Sequence, residues 1–158
     1  MSYRIIALAV ILTAVGCQNA ATQAVTHTEE ELNTQEQKRL EIQGIHDAVM
    51  PEMSTLNRLA RTLKPLLAKD SKLDENEREI VQDVVNRLEK ADEGMMNWMG
   101  EFHWNLDPLR DSLNHQGIMS YLAAEETTAT EVDSQMRNSI VDAQALVVKY
   151  KLDKQEGK

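Results

Sequence analysis

The 158-residue sequence has few of the residues that build disulfides, turns and aromatic cores: one cysteine, three prolines, six glycines and 4 % aromatic residues. A single cysteine excludes an internal disulfide, a CxxC redox pair and a cysteine-rich zinc site. The scarcity of proline, beside abundant Leu, Ala, Glu, Gln, Met, Lys and Arg, favours helix. Because the sequence also lacks an alternating strand pattern and a hairpin signal, we predict an all-α protein.

Basic residues are scarce as well, with 17 Lys and Arg against 26 Asp and Glu and a formal net charge of -9. Nucleic-acid binding and polybasic contact with anionic lipid both depend on Lys and Arg, so this balance argues against either interaction. The length suits one domain, alone or with a tail.

Motifs typical of enzymes are missing from the sequence. It contains no G-x-S-x-G, no HExxH, no glycine-rich phosphate loop and no Glu-x-x-His pair of the di-iron bundle type. The carboxylates cluster in residues 29–31 and 74–79, which we expect on solvated helix faces. We therefore predict that the protein is not an enzyme.

The amino terminus has the pattern of a secretory signal. Arg4 precedes an apolar run of eleven residues, 5–15 (IIALAVILTAV), and this run is shorter than the about 20 residues that span a bilayer. Small residues then precede Cys17, and a polar segment follows it. This arrangement resembles a bacterial lipoprotein signal, in which the Cys sulfur receives diacylglycerol and the chain is cut before the Cys. The alternatives are an ordinary signal peptide with an incidental cysteine, or an uncleaved anchor.

The lipoprotein interpretation sets the expected domain plan and location. Residues 1–16 are the signal peptide, 17–28 a lipidated flexible tether, 29–152 a helical bundle domain and 153–158 a disordered tail. Acyl chains such as palmitate on Cys17 hold the protein to the membrane with about 0.8 kcal/mol per buried methylene. Gln18 after the cysteine resembles Gram-negative sorting to the outer membrane, so we expect an anchor in its inner leaflet and a domain that faces the periplasm.

Apolar residues recur at helical spacing in three long segments. Thr28 before three glutamates and Asp74 before Glu75 predict helix starts, and a third segment follows Gly117. Pro51 is expected to kink the first segment without ending it. Short connections then predict an antiparallel, coiled-coil-like bundle of three long helices. A helical hairpin that completes its core as a homo-oligomer is the alternative.

Methionine and histidine gather at one predicted level of this bundle. His46 and Met50 are one turn apart, as are Met99 and His103, so each pair shares a helix face. Thioether sulfur and imidazole suit Cu(I), and this layer therefore predicts a soft-metal site as one alternative. The candidate ligands are His46, Met50, Met95, Met99 and His103.

A structural interpretation of the same layer needs no metal. Methionine fills irregular gaps in thin helical cores and packs well against aromatic rings. His46 would then be a core histidine that forms a polar pair with Glu125, since a buried polar group needs a partner. His27 and His115 are expected to be solvated.

Three segments resemble a group of small lipoproteins from Bacteroidetes-type bacteria, some of which are labelled "viral A-type inclusion protein". They are residues 45–53 (IHDAVMPEM), 91–99 (ADEGMMNWM) and 121–125 (YLAAE), and the resemblance spans roughly residues 40–150. It implies a cell-envelope compartment and a helical fold, without a particular chemistry. We therefore expect a structural or protein-interaction module with a partner among envelope proteins.

Overall fold

The computed structural model describes residues 25–69 and 72–152, and within these ranges the chain forms helices and turns but no strand. The predicted all-α class is therefore confirmed. The signal peptide, most of the tether and the tail lie outside the described residues. The α-helices are α1 (Glu29–Val49), α2 (Met53–Leu63), α3 (Glu75–Glu101), α4 (Asp107–Arg110) and α5 (His115–Lys149), with 3-10 turns at Met50–Glu52 and Lys64–Leu67.

Side-chain caps start the long helices. At α1 the Thr28 hydroxyl accepts a hydrogen bond from the Glu31 N–H at 3.2 Å, and the Glu31 carboxylate accepts from the Thr28 N–H at 2.8 Å. This capping box satisfies two free donors at once, and the backbone bond lowers the pKa of Glu31. Asp74 and Asn114 cap α3 and α5 with one side-chain bond each.

Pro51 interrupts the first helical segment by one 3-10 turn. The Met50 N–H still donates to the His46 carbonyl, but proline has no N–H, so the α-helical ladder stops at Val49 and resumes at Met53. The apolar stripe continues across the turn, with Val49 and Leu56 both buried. The expected kink therefore takes the form of a short change in helix type.

Polar pairs give the relative direction of α3 and α5. Lys149 of α5 contacts Glu77 near the start of α3 at 3.0 Å, while Arg87 pairs with Asp142 one to two turns earlier on α5. Residue numbers thus rise along α3 as they fall along α5, so the two helices run in opposite directions. Helix α5, with 35 residues and a length of about 52 Å, also contacts α1 and α2.

The core consists of the inward stripes of these helices. One apolar face of each helix is buried, as amphipathic helices require. None of the helices within the described ranges has a stretch that is long and apolar enough to span a bilayer. The buried apolar residues of the long helices are Ile42, Val49, Leu56, Leu59, Ala60, Leu63, Val81, Val84, Val85, Leu88, Ala91, Met95, Trp98, Ile118, Leu122, Ala129, Val132, Met136, Ile140, Ala143 and Leu146.

We expect Leu88→Ala to lower the free energy of unfolding by about 2–5 kcal/mol, because Leu88 is fully buried and its truncation leaves a cavity. Leu40→Ala is the matched control, since Leu40 is 51 % exposed, and it should change stability by about 0.5 kcal/mol or less. Urea denaturation followed by circular dichroism measures both. Equal effects of the two substitutions would contradict the assigned core.

Candidate functional site

The chain reverses after the carboxyl end of α3, and this reversal brings two tryptophans together. The helix ends at Glu101, and Phe102 adopts an extended conformation with its side chain buried. The chain then reverses, and the Trp104 indole N–H donates to the Met99 carbonyl at 3.1 Å. This bond satisfies one of the carbonyls that every helix leaves free at its end.

The resulting aromatic cluster consists of His46, Trp98, Phe102, Trp104 and Tyr121. Phe102 stacks on Trp98 at a centroid distance of 5.0 Å and meets the edge of Trp104 at 4.7 Å. Tyr121 of α5 stacks on Phe102 at 6.5 Å. Such pairs contribute about 0.5–1.5 kcal/mol each beyond the area they bury, so the cluster fastens the loop after α3 to α5.

His46 lies on α1, whereas the other members of this cluster lie on α3, on the loop after α3 and on α5. Its ring lies 5.3 Å from Trp104 and 5.9 Å from Trp98, and its side chain is only 15 % exposed. Nδ1 lies 2.9 Å from the carboxylate of Asp47, and this hydrogen bond lowers the pKa of Asp47. Nε2 lies 3.1 Å from the Met99 sulfur. His46 and Met99 are thus brought together, as the predicted layer required.

The predicted polar pair of His46 with Glu125 is not formed, and this expectation is corrected. Glu125 instead accepts a hydrogen bond from the indole N–H of Trp98 at 2.9 Å. Trp98 is almost fully buried, so its N–H needs an acceptor, and Glu125 is the carboxylate within reach. His46 takes its partner from the adjacent position in the sequence, Asp47.

The other candidate ligands are distributed around the layer. Met95 is 1 % exposed and belongs to the core, while Met50 is half-buried, one turn beyond His46. His103 is exposed, and its ring lies against Tyr121 at 5.6 Å. Across the part of the chain that the structure describes, no three His, Cys, Asp or Glu side chains are grouped to hold a metal ion. A metal site here would therefore depend on methionine sulfur.

A second polar site, the Gln35 network, was missed at the sequence level. Gln35 of α1 is fully buried, and its carbonyl oxygen accepts from the Arg110 guanidinium at 2.8 Å. Its amide nitrogen lies 3.2 Å from Nδ1 of His27 and 3.2 Å from Nδ1 of His115. The expectation that both histidines are solvated is wrong, since both are half-buried in this network.

The donors and acceptors of the Gln35 network fix its protonation pattern. A guanidinium can only donate, so the Gln35 oxygen faces Arg110 and the amide nitrogen donates to both imidazoles. Each Nδ1 is then an acceptor, and each ring carries its proton on Nε2. His27 Nε2 lies 3.2 Å from the Arg110 carbonyl and donates to it, so the hydrogen bonds close into a ring.

A sequence signal for this network did exist. Gln35 lies seven residues before Ile42 and fourteen before Val49, both of which are fully buried, so it occupies a heptad position of the apolar stripe. A polar residue at such a position needs partners in the core. What the sequence did not contain is their identity, because Arg110 and His115 are 75 and 80 residues away.

Comparisons with models of protein families, with curated proteins and with solved structures find no match for this chain. The resemblance to small envelope lipoproteins therefore stays a prediction. The functional argument depends on the residues and their geometry.

We expect Gln35→Leu to lower the free energy of unfolding by about 1–3 kcal/mol, because it leaves the Arg110 guanidinium and two imidazoles without their shared partner. Gln37→Leu is the matched control on the same helix, since Gln37 is exposed, and it should cost no more than about 0.5 kcal/mol. Chemical denaturation of both variants measures these changes in the free energy of unfolding. A neutral Gln35→Leu would show that the network does not stabilise the fold.

Proposed function

We propose that the protein is a non-enzymatic, lipid-anchored helical module of the cell envelope that faces the periplasm and binds another envelope protein. The observation that carries the binding part is an apolar surface on α5. Val141 is 62 % and Val148 is 73 % exposed, and their spacing of seven residues puts both on one helix face. Contiguous exposed apolar patches mark protein-binding sites, and these two valines lie about 10 Å apart along the same face of α5.

The architecture that fits this role is one antiparallel bundle of three long helical segments, formed by α1 with α2, by α3 and by α5. The opposite directions of α3 and α5 support it, and so does the contact of Asn57 on α2 with Asp92 on α3 at 2.8 Å. Lys38 of α1 pairs with Glu126 of α5 at 2.7 Å, which joins the first and last segments. Both of these polar pairs are partly buried, and both are consistent with the proposed arrangement of the three segments.

The anchor and the apolar surface belong to opposite ends of the module. Val25, the first described residue, is eight positions after Cys17, so the chain between them reaches at most about 28 Å. His27 then bonds to the carbonyl of Arg110, so the end of the bundle with the Gln35 network lies near the membrane in this proposal. Val148 is 33 residues along α5 from His115, about 50 Å further out.

The charge of the mature chain suits a module that projects from the membrane. Cleavage before Cys17 removes Arg4 as its only charged residue, which leaves 16 basic and 26 acidic side chains and a net charge of -10. This excess repels the anionic surface of a bilayer. The acyl chains on Cys17 would therefore provide the membrane contact, while the domain stays in the aqueous phase.

For the anchor, we expect Cys17→Ser to abolish incorporation of labelled palmitate and to move the protein out of the membrane fraction. The serine hydroxyl is not the nucleophile that the lipoprotein pathway uses. Ser2→Ala is the control for a substitution within the signal that leaves the cysteine intact. Palmitate labelling that persists in Cys17→Ser would refute the anchor.

For the partner, we expect a photo-crosslinking amino acid at position 141 or 148 to capture one envelope protein in living cells. The same group at Gln37, an exposed site on α1, serves as the control. Val141→Asn combined with a crosslinker at 148 should weaken the product, because it removes apolar area from the same face. A product with twice the mass of the chain would identify a second copy and overturn the proposal of a different partner, as would equal products at all three positions.

A further inference from the structure

Two soft ligand atoms face each other inside the aromatic cluster. His46 Nδ1 lies 2.9 Å from a carboxylate oxygen of Asp47, and a carboxylate can only accept, so Nδ1 carries the proton. In the neutral imidazole the lone pair is then on Nε2, which lies 3.1 Å from the Met99 sulfur. Thioether sulfur has no proton to donate. A metal ion that takes the place of any proton on Nε2 would therefore find the nitrogen lone pair and the sulfur lone pairs directed into the same space.

The partner of Nδ1 is the kind that metal-binding histidines have. In metal sites the ligating histidine donates its second N–H to a carboxylate or carbonyl, which fixes the ring orientation and raises the basicity of the ligating nitrogen. Asp47 does this for His46. The geometry that positions His46 Nε2 is thus already present without a metal.

The surroundings of the pair favour a soft monovalent cation. Thioether and imidazole ligands select Cu(I) over harder ions. The rings of Trp98 and Trp104 lie 5.9 and 5.3 Å from the His46 ring, and indole faces attract cations. The His46 side chain is 15 % exposed, so an ion bound there would be largely shielded from water yet still have a path to the surface.

We propose that His46 Nε2 and the Met99 sulfur bind one Cu(I) ion within the aromatic cluster. Bonds of the lengths found at metal sites, about 2.0 Å to nitrogen and about 2.3 Å to sulfur, span a 3.1 Å separation at an angle of roughly 90°. Rotation of the flexible Met99 side chain would increase this nitrogen–copper–sulfur angle.

This ligand set is smaller than the one that spacing alone predicted. His103 is exposed and its ring lies against Tyr121. The backbone N–H of His103 donates to the tyrosine hydroxyl at 2.8 Å. Met95 is packed in the core at 1 % exposure. The site thus consists of His46 and Met99, with Asp47 as a positioning residue that acts through His46.

The test uses the full-length chain with Cys17→Ser in detergent, so that no thiol competes for the metal. Under anaerobic conditions the protein is titrated against the Cu(I) complex of bicinchoninate, with indole fluorescence as a second readout. The chain has only two tryptophans, and both touch His46, so bound copper should quench most of the emission. We expect one Cu(I) per chain, with Zn(II) unable to replace it.

Three variants connect the binding to the named atoms. Met99→Leu keeps the volume but removes the sulfur, and should weaken Cu(I) binding on the order of tenfold or more. Met96→Leu is the matched control, because Met96 is on the same helix and 55 % exposed, and it should bind as the parent does. Asp47→Asn should weaken binding by about 10–100-fold without changing the stoichiometry.

Circular dichroism melting without copper shows whether each variant is folded, and His46→Gln replaces Met99→Leu if that variant is not. The proposal is overturned if the parent takes no copper from the chelator. It is also overturned if Met99→Leu and Met96→Leu bind Cu(I) equally well, or if Zn(II) displaces Cu(I) at equal concentration.

Discussion

The burial of one long apolar stripe on α5 is the constraint on which the other elements depend. An isolated helix of this length is marginal in water, and its stability comes from packing of its apolar face. Helix α5 contacts α1, α2 and α3, so each of the other long elements finds its partner there. Fully buried residues occur near both ends of the stripe, from Ile118 to Ala143. The thinness of a core built from single stripes explains why a few large rings and methionines fill it at the level of His46.

Much of this arrangement could be predicted from periodicity. The spacing of apolar residues from Ile42 to Leu63 and from Val81 to Trp98 is helical, and most of them are buried, with Ile45 and Met53 partly buried. The caps at Thr28 and Asp74 follow from local chemistry, since a hydroxyl or carboxylate before acidic residues satisfies free N–H groups. Such features depend on neighbours within one or two turns, which is the range over which sequence patterns are informative.

Partner choice among polar side chains could not be predicted in the same way. The sequence predicted one layer with His46, Met99 and Glu125; the structure has His46 in contact with Met99, but Glu125 bonds to Trp98, and His46 to Asp47. Distances of a few ångströms decide between such partners, and a register estimated from turns is uncertain by a full turn, about 5.4 Å. The reversal after Glu101 that returns Trp104 to α3 had no periodic signal, because it involves a hydrogen bond to Met99 and ring contacts with Phe102 rather than a repeated pattern.

The two polar sites inside the bundle differ in how completely their hydrogen-bonding capacity is used. In the Gln35 network each of the two amide protons has an imidazole acceptor, and the amide oxygen has a guanidinium donor. Because these donors and acceptors are all paired with one another, the network specifies one arrangement of the chain and offers no free hydrogen-bonding group to a ligand.

The hydrogen bonds of His46 are arranged differently. Nδ1 donates its proton to Asp47, while Nε2 faces the sulfur of Met99. In the neutral ring both Nε2 and the sulfur are acceptors. No buried side-chain nitrogen or oxygen lacks a partner anywhere in residues 25–69 and 72–152, so the protein does not tolerate unmet polar groups generally. Among the described residues, the only hydrogen-bond partner of His46 Nε2 is a thioether sulfur, a weak acceptor, and this contact lies amid two indoles. Weak polar contacts of this kind are concentrated where proteins bind something, and a soft cation is the species that imidazole nitrogen and thioether sulfur would both ligate.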